Sequence, residues 1–404
     1  MTASSLPSSF YALTGLESTP WWQALESLIT ALETEDAELE PIYISLFRSL
    51  CEAPSADLID ACARTLLWRE HALSVRLGEG EPSETLRRAA LLDLKRLLPL
   101  LNKDWQAEVE LRLGKSVAAL EGLIETQSDK ALVSLKTALE GSSPKQVLDI
   151  LLDIYTQQGA GILARYAAFR YMSGGFVGIE QPAEDSLGRL IALNDQIKRL
   201  THNTERFLQG LGAHHTLLYG PRGTGKSTAV RGLLTRYAAQ SLRLVELSSS
   251  ELSALPDLTA KLRNRPQHYI IFVDDLSFEA GDDAYHPLKT VLEGSLSAPT
   301  KNVLVYATSN RRHLITEKFS DRPDPLNEDV HAWDTQNERL ALADRFGLTI
   351  TFPNASQQRY LRIVEGLLQD EGLEPENWRE RAVRHADWGN GYSGRTARQF
   401  VDGL

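Results

Sequence analysis

The segment GPRGTGKS at residues 220–227 constrains the fold more than any other part of this chain. It matches the phosphate-loop pattern G-x-x-x-x-G-K-[ST] at each fixed position, after an apolar run at residues 215–219. Backbone N–H groups can surround a polyphosphate only where side chains are absent, which explains glycines at 220, 223 and 225. The pattern predicts a strand, a phosphate-binding loop and a helix in that order.

The residues of this loop have separate expected roles. We expect Lys226 to reach the terminal phosphates, Ser227 to coordinate Mg²⁺, and the helix that starts near Lys226 to direct its N-terminus at the anion. ATP and Mg²⁺ are therefore the expected cofactors. The expected nucleotide contacts are Gly220, Pro221, Arg222, Gly223, Thr224, Gly225, Lys226, Ser227 and Thr228.

Hydrophobic periodicity divides the 404 residues into three predicted domains. Apolar residues recur at spacings of three and four over residues 21–172, and the glycine-rich stretch at 173–182 interrupts them. We predict an all-helical domain over residues 1–180, a nucleotide-binding α/β domain over 181–352 and a small helical lid over 353–404. Strand-like runs lie at residues 215–219, 242–247, 269–273, 303–307 and 348–352.

The fold class follows from the alternation of these runs with helical segments. Apolar strands separated by helices indicate a parallel sheet with helices on both faces. We therefore predict an α/β fold: a five-stranded parallel sheet and a C-terminal helical lid, preceded by an all-α N-terminal domain. Lid helices are expected at residues 357–369, 376–387 and 394–402.

Charge is distributed unevenly between the two halves of the chain. Residues 1–180 hold 16 Lys plus Arg against 25 Asp plus Glu, a balance of −9 of the total of −11. An acidic module suits a basic protein partner and disfavours direct contact with nucleic acid. Two cysteines without a paired spacing indicate neither disulfides nor zinc, and no apolar stretch is long enough to span a membrane. We predict a cytoplasmic protein.

Acidic residues follow the strand at residues 269–273. Asp274 is the candidate Mg²⁺ residue, and Asp275 is the candidate base that orients the attacking water. Glu279 is the alternative base, since Asp is one methylene shorter than Glu. These acids come about fifty residues after the phosphate loop, which is the order that a phosphate-loop enzyme requires.

Three further positions complete the predicted catalytic set. Asn310, which follows the strand at 303–307, is expected to hold the nucleophilic water, with Thr308 as the alternative. Arg345 precedes the last strand and is a candidate arginine finger that reaches a neighbouring subunit's nucleotide. Arg395, or Arg398 one turn later, could contact the phosphates of its own chain.

Taken in order, these elements resemble the AAA+ class of phosphate-loop ATPases over residues 184–404. They are similar to Walker A, Walker B, sensor one, the arginine finger and sensor two. The motifs NTERF at 203–207, DDLSFE at 274–279, ATSNRRH at 307–313, DRFG at 344–347 and SGRTARQF at 393–400 resemble a bacterial stand-alone AAA+ family known only as a domain of unknown function. The resemblance implies the AAA+ fold and ATP use, and little about the substrate.

The expected activity is ATP hydrolysis by a homo-oligomer, a ring or an arc, that remodels a protein partner bound by the helical domain. The loop at 248–256 has no aromatic residue to grip a threaded chain, which disfavours threading. One alternative is a DNA-associated loader or initiator, with Arg311, Arg312 and His313 contacting phosphates. Another is a nucleotide-gated scaffold with weak hydrolysis, because Asp275 replaces the commoner Glu.

Overall fold

The computed structural model describes residues 9–34, 38–53, 55, 57–77, 80–123, 129–278, 285–293, 300–310, 342–389 and 391–404. The chain forms two compact units, Met1–Arg165 and Tyr166–Leu404.

The described part of the first unit contains helices and no strand, as predicted. Its helices are α1 (Pro20–Thr34), α2 (Leu39–Glu52), α3 (Leu58–Trp68), α4 (Ala72–Leu77), α5 (Glu84–Leu101), α6 (Trp105–Leu113), α7 (Lys130–Gly141), α8 (Pro144–Gln158) and α9 (Ile162–Arg165). Their apolar faces form one core that includes both Trp21 and Trp22.

Local sequence explains where these helices begin. The Ser143 side chain caps α8 by accepting from the backbone N–H of Gln146. The Gln146 side chain in turn accepts from the backbone N–H of Ser143. Pro144 occupies the first turn, where a missing N–H costs nothing. Burial of Val147 and Leu151 on one side then fixes the helix against the core.

The second unit contains a seven-stranded sheet. Its strands are β1 (Ala168–Met172), β2 (Gly175–Ile179), β3 (Thr216–Tyr219), β4 (Leu242–Leu247), β5 (His268–Val273), β6 (Val303–Ser309) and β7 (Leu348–Thr351). The spatial order is β2-β1-β4-β5-β6-β3-β7, and only the β1–β2 pair is antiparallel. The five predicted strands are all present and parallel, which confirms the predicted fold class.

The prediction of helix up to Met172 was wrong for β1, and the sheet has two strands more than expected. Ser173 and Gly174 connect β1 to β2 and both have positive φ, 52° and 78°. This conformation is the two-residue turn that joins antiparallel strands. In the preceding helical segments apolar residues recur at spacings of three and four. Strand β1 is too short for its alternating aromatic residues to be distinguished from that pattern.

Helices connect the strands of the second unit and also follow them. They are α10 (Asn194–Leu208), α11 (Lys226–Tyr237), α12 (Leu255–Leu262), α13 (His286–Glu293), α14 (Gln357–Glu371), α15 (Trp378–Trp388) and α16 (Gly394–Asp402). The last three share a small core of their own. They match the three predicted lid helices. Across the described chain, no helix combines the length and the apolar character needed to cross a bilayer.

The NTERF motif serves the packing of α10 against the sheet. The buried hydroxyl of Tyr306 on β6 lies 3.0 Å from both the Asn203 amide nitrogen and the Thr204 hydroxyl. Glu205 accepts a 2.6 Å hydrogen bond from the Tyr237 hydroxyl on α11. The motif therefore joins α10, α11 and the strand that ends at the candidate site.

Candidate active site

The loop at residues 220–227 joins β3 to α11 and needs its glycines. Gly220, Gly223 and Gly225 have φ values of 153°, 73° and 92°, which residues with a Cβ rarely adopt. A Cβ on Gly220 would also lie 2.1 Å from the Phe352 carbonyl oxygen. The loop thus takes a backbone path open only to this pattern. It ends at the N-terminus of α11, where the first N–H groups have no partner within the helix.

Lys226 is the central cation of the site. Its side chain is buried, and its Nζ donates to the Gly220 carbonyl at 2.6 Å, to the Pro221 carbonyl at 2.8 Å and to Asn310 Oδ1 at 3.0 Å. Burial lowers the pKa of Lys226, and the charges of the two nearby aspartates oppose that shift. Phosphate oxygens could replace these neutral acceptors and bind the ammonium more strongly.

The two aspartates after β5 face different partners. Asp274 Oδ1 accepts from Ser227 Oγ at 2.7 Å and from Thr308 Oγ1 at 2.5 Å. Asp275 has a φ of 51°, and its backbone N–H donates to Thr308 Oγ1 at 2.9 Å. The Thr308 hydroxyl therefore holds the Asp275 backbone and the Asp274 side chain. The Asp275 carboxylate makes no hydrogen bond to Thr308 and contacts other residues of the site.

The donor set near Asp274 fits Mg²⁺. Ser227 and Asp274 supply a hydroxyl and a carboxylate oxygen side by side, and Mg²⁺ prefers such hard oxygen ligands together with phosphate and water. No group of three or more His, Cys, Asp or Glu within the described ranges could hold a metal by itself. Mg²⁺ takes six oxygen ligands, so phosphate and water oxygens would complete the set that Ser227 and Asp274 begin.

Asn310 connects the phosphate loop to the acidic strand end. Its Oδ1 accepts from Lys226, and its Nδ2 donates to Asp275 Oδ1. The Arg222 guanidinium lies 3.7 Å from the other oxygen of Asp275. Thr308 is only 1% exposed and hydrogen-bonds to both aspartates, and the water-holding role of Asn310 stays a prediction.

These groups line one cavity of about 730 Å³. Sequence reasoning missed two of its walls: residues 184–193 and helix α14. Their apolar lining residues are Leu190, Ile191, Leu193, Ile363 and Leu367. No fixed motif marks these walls, because a surface that contacts a flat apolar group requires only hydrophobicity.

Three arginines from the C-terminal helices line this cavity. Arg395 and Arg398 both line it, but Arg398 pairs with Glu371 and with Asp402. The exposed Arg395 is the second residue of α16, and its backbone N–H donates to the Gly223 carbonyl at 3.3 Å. Arg398 is therefore held by acidic side chains, and the second-sensor role of Arg395 stays a prediction. Arg359, which the sequence analysis did not identify, also lines the cavity and donates to the Ala192 carbonyl.

Arg345 is not among the residues that line this cavity in the described chain. Its guanidinium pairs with Glu293 at the end of α13. A finger role would thus require the nucleotide of another subunit, and it stays a prediction. The alternative base Glu279 and the basic residues Arg311, Arg312 and His313 lie outside the described residues.

Fold and site together define a phosphate-loop protein of the AAA+ class. Strand β6, the neighbour of β3 in the sheet, is followed directly by Asn310. Strand β5, on the other side of β6, is followed directly by Asp274 and Asp275. Ligands of such open parallel sheets bind outside the carboxyl ends of the strands, where these side chains meet. The AAA+ resemblance predicted from sequence is confirmed.

The chain belongs to the family described as "Protein of unknown function (DUF815)", whose model matches residues 164–404. This match covers the whole α/β unit and its C-terminal helices. It confirms the predicted membership of a family that carries no functional description. No curated protein sequence matches the chain.

Several solved structures are similar to this chain at low identity. The Thermotoga maritima RuvB Holliday junction branch migration motor is 14% identical, with 55% of this chain and 72% of that one covered and a TM-score of 0.32. The Aeropyrum pernix ORC1 protein in complex with DNA is 16% identical, with 54% and 60% covered and a TM-score of 0.39. In the E. coli HORMA:CdnC:Trip13 complex the match is 14% identical, covers 56% and 93%, and has a TM-score of 0.35. This chain spans less than two thirds of the ORC1 chain. TM-scores this low add nothing to the fold assignment.

Proposed function

We propose that this protein binds ATP with Mg²⁺ in the cavity beside the phosphate loop and hydrolyses the terminal phosphate. One observation carries the proposal: Lys226, Ser227, Asp274, Asp275 and Asn310 form one connected hydrogen-bonded cluster. These residues come from the loop and from two neighbouring strands. A purely structural turn would need neither the buried ammonium nor the paired carboxylates.

Binding would use three parts of the cavity. Loop N–H groups and Lys226 would hold the phosphates, and Ser227 and Asp274 would hold Mg²⁺. The metal supplies charge that neutralises the phosphate oxygens. The apolar residues of the 184–193 segment and α14 would contact the base, because they form the hydrophobic wall of the same cavity.

Hydrolysis would use the side chains at the strand ends. Asp275 would accept a proton from the attacking water. Asn310, which already contacts the Asp275 carboxylate, would orient that water. The exposed guanidinium of Arg395 would meet the terminal phosphate. Asp275 must release its contacts with Asn310 and Arg222 before it accepts a proton, so we expect slow turnover by the isolated protein.

Single-turnover hydrolysis of ATP tests this assignment. Asp275→Asn should bind ATP as well as the wild type and cleave it at least about 100-fold more slowly, since a general base contributes about that much. Asp370→Asn is the matched control, because Asp370 is an exposed carboxylate that does not line the cavity. Equal cleavage rates in the wild type and Asp275→Asn would overturn the assignment of the base.

We propose further that the protein acts as a ring or arc and remodels a basic protein partner. The position of Arg345 outside its own cavity and the −9 balance of residues 1–180 support this. The rate of ATP hydrolysis per subunit should rise with protein concentration, and Arg345→Ala should abolish that rise. A fully active Arg345→Ala variant would contradict the shared site. Capture of partners by ATP-bound Asp275→Asn, with and without residues 1–165, would test the role of the helical unit.

A further inference from the structure

Strand β2 forms one edge of the sheet and has unpaired backbone groups. Ser173 and Gly174 make a two-residue turn, so Met172 and Gly175 close the hairpin as a hydrogen-bonded pair. Bonded and non-bonded pairs alternate in an antiparallel ladder. Phe176 and Gly178 therefore direct their N–H and C=O groups away from β1. No hydrogen bond in the described structure uses those groups.

The edge has none of the features that normally protect an open strand. Residues 174–179 contain no charge and no proline. One face of β2 is packed: the rings of Phe176 and Tyr171 lie 5.2 Å apart, and a Cβ on Gly178 would fall 2.2 Å from the Tyr166 ring. On the opposite face Val177 is 50% exposed. The strand is thus held rigidly while its edge and one face stay open.

We propose that β2 pairs with β2 of a second copy of this chain, antiparallel and centred on Val177. In this register Phe176 of one copy lies opposite Gly178 of the other, and the reverse, so the outward-facing groups of both residues form about four hydrogen bonds. Antiparallel registers centred on Phe176 or Gly178 would leave one of these residues opposite a position outside the strand.

The side chains make this arrangement self-complementary. Val177 meets Val177 of the second copy as a close, non-hydrogen-bonded pair, which buries the exposed side chain of each. Phe176 of each copy lies beside Gly178 of the other, whose Cα is covered by the Tyr166 ring. Such matching of a segment with itself is what a two-fold interface requires. The second copy is therefore the occupant that we infer.

This interface is separate from the proposed nucleotide site. Four strands lie between β2 and β3, which leads into the phosphate loop. Association through β2 should therefore occur without nucleotide. It should also persist in variants that cannot bind ATP.

A charge exchange at Val177 tests the register. The full chain is studied without nucleotide by analytical ultracentrifugation, up to the highest soluble concentration. Wild type should form dimers, or an assembly built from them. Val177→Glu and Val177→Lys, each alone, should reduce the mass to half because like charges face each other across the two-fold axis. An equal mixture of the two variants should restore it.

Val133 supplies the matched control. It is a 49% exposed valine in the other unit, and Val133→Glu and Val133→Lys should leave the mass unchanged. Retained ATP binding by both Val177 variants would show that they are folded. A wild type that stays monomeric, which would leave the edge to a different partner, overturns the proposal. So does a mixture whose mass stays at half.

Discussion

Each unit of this chain holds a distinctive carboxylate, and the two are satisfied in opposite ways. Asp93 in the helical unit is fully buried and accepts from the backbone N–H groups of Tyr11, Ala12 and Leu13 at 3.0, 2.7 and 3.0 Å. The Asp275 side chain in the α/β unit is 59% exposed, and among the described residues its carboxylate contacts the side chains of Asn310 and Arg222. A carboxylate saturated by backbone amides stabilises a fold. One that borders a cavity beside displaceable side chains is available for chemistry.

The largest expected effect on stability comes from removing the buried carboxylate. Asp93→Ala should lower the free energy of unfolding by about 4 kcal/mol, because it leaves three backbone donors without a partner. Chemical denaturation of the full chain measures this loss. ATP binding should stay unchanged in the folded protein.

Asp275→Ala is the counterpart in the other unit. Its stability should stay within about 0.5 kcal/mol of the wild type, as is usual for exposed positions. A large loss of stability in Asp275→Ala, or a negligible one in Asp93→Ala, would remove the distinction between the two carboxylates.

Acid should destabilise the helical unit through His71. Burial lowers the pKa of His71 to about 4, whereas the unfolded chain keeps the ordinary value of 6.5. Between pH 4 and 6.5 the unfolded chain binds a proton at His71 that the folded chain does not. The stabilisation from neutral, buried His71 is therefore complete above pH 6.5 and falls as the pH drops towards 4. The loss should reach about 3 kcal/mol near pH 4. Denaturation at several pH values between neutral and acidic conditions measures it.

The same test compares the two units. Burial also lowers the pKa of His215 on the α/β side to about 4, so acid should weaken both units. His71→Gln should flatten the pH dependence of the helical unit alone, since its amide does not titrate in this range. An unaltered pH profile in His71→Gln would exclude His71 as the cause.

A smaller effect is expected at the network behind the site. Tyr306→Phe removes the hydroxyl that meets Asn203 and Thr204, and the loss should be about 1–2 kcal/mol in the free energy of unfolding. Because the network positions α10 against β6 and contacts no cavity group, affinity for ATP should stay near that of the wild type. A strong loss of ATP affinity at full stability would show that the network also shapes the site.

Sequence alone predicted most of the parallel sheet and the residues that cluster at the carboxyl ends of its strands. The phosphate loop could be identified because backbone geometry demands glycine at fixed positions such as Gly220, where a Cβ would lie 2.1 Å from the Phe352 carbonyl oxygen. Asp274, Asp275 and Asn310 could be located because each follows an apolar strand. Parallel strands present these ends at one edge, so spacing along the chain translated into proximity.

Other features had no such signature. Ser173 and Gly174 form a hairpin turn, but the strands around them are short enough to merge with a helical pattern. Residues 184–193 line the cavity with ordinary apolar side chains, which no residue type or spacing distinguishes from core. The choice between Arg395 and Arg398 required the position of Glu371, twenty or more residues away along the chain. Each of these features depends on tertiary placement, which local sequence does not encode.

Calorimetric titration of ATP and Mg²⁺ into the wild type, Lys226→Ala and Lys198→Ala tests the central claim most directly. Lys198 is an exposed lysine on α10 outside the cavity, so its variant should bind like the wild type. Lys226→Ala should lose at least about 30-fold in affinity, since removal of a buried cation from a phosphate contact costs about 2 kcal/mol or more. Equal affinity for ATP in the wild type and Lys226→Ala would contradict the assignment of this loop.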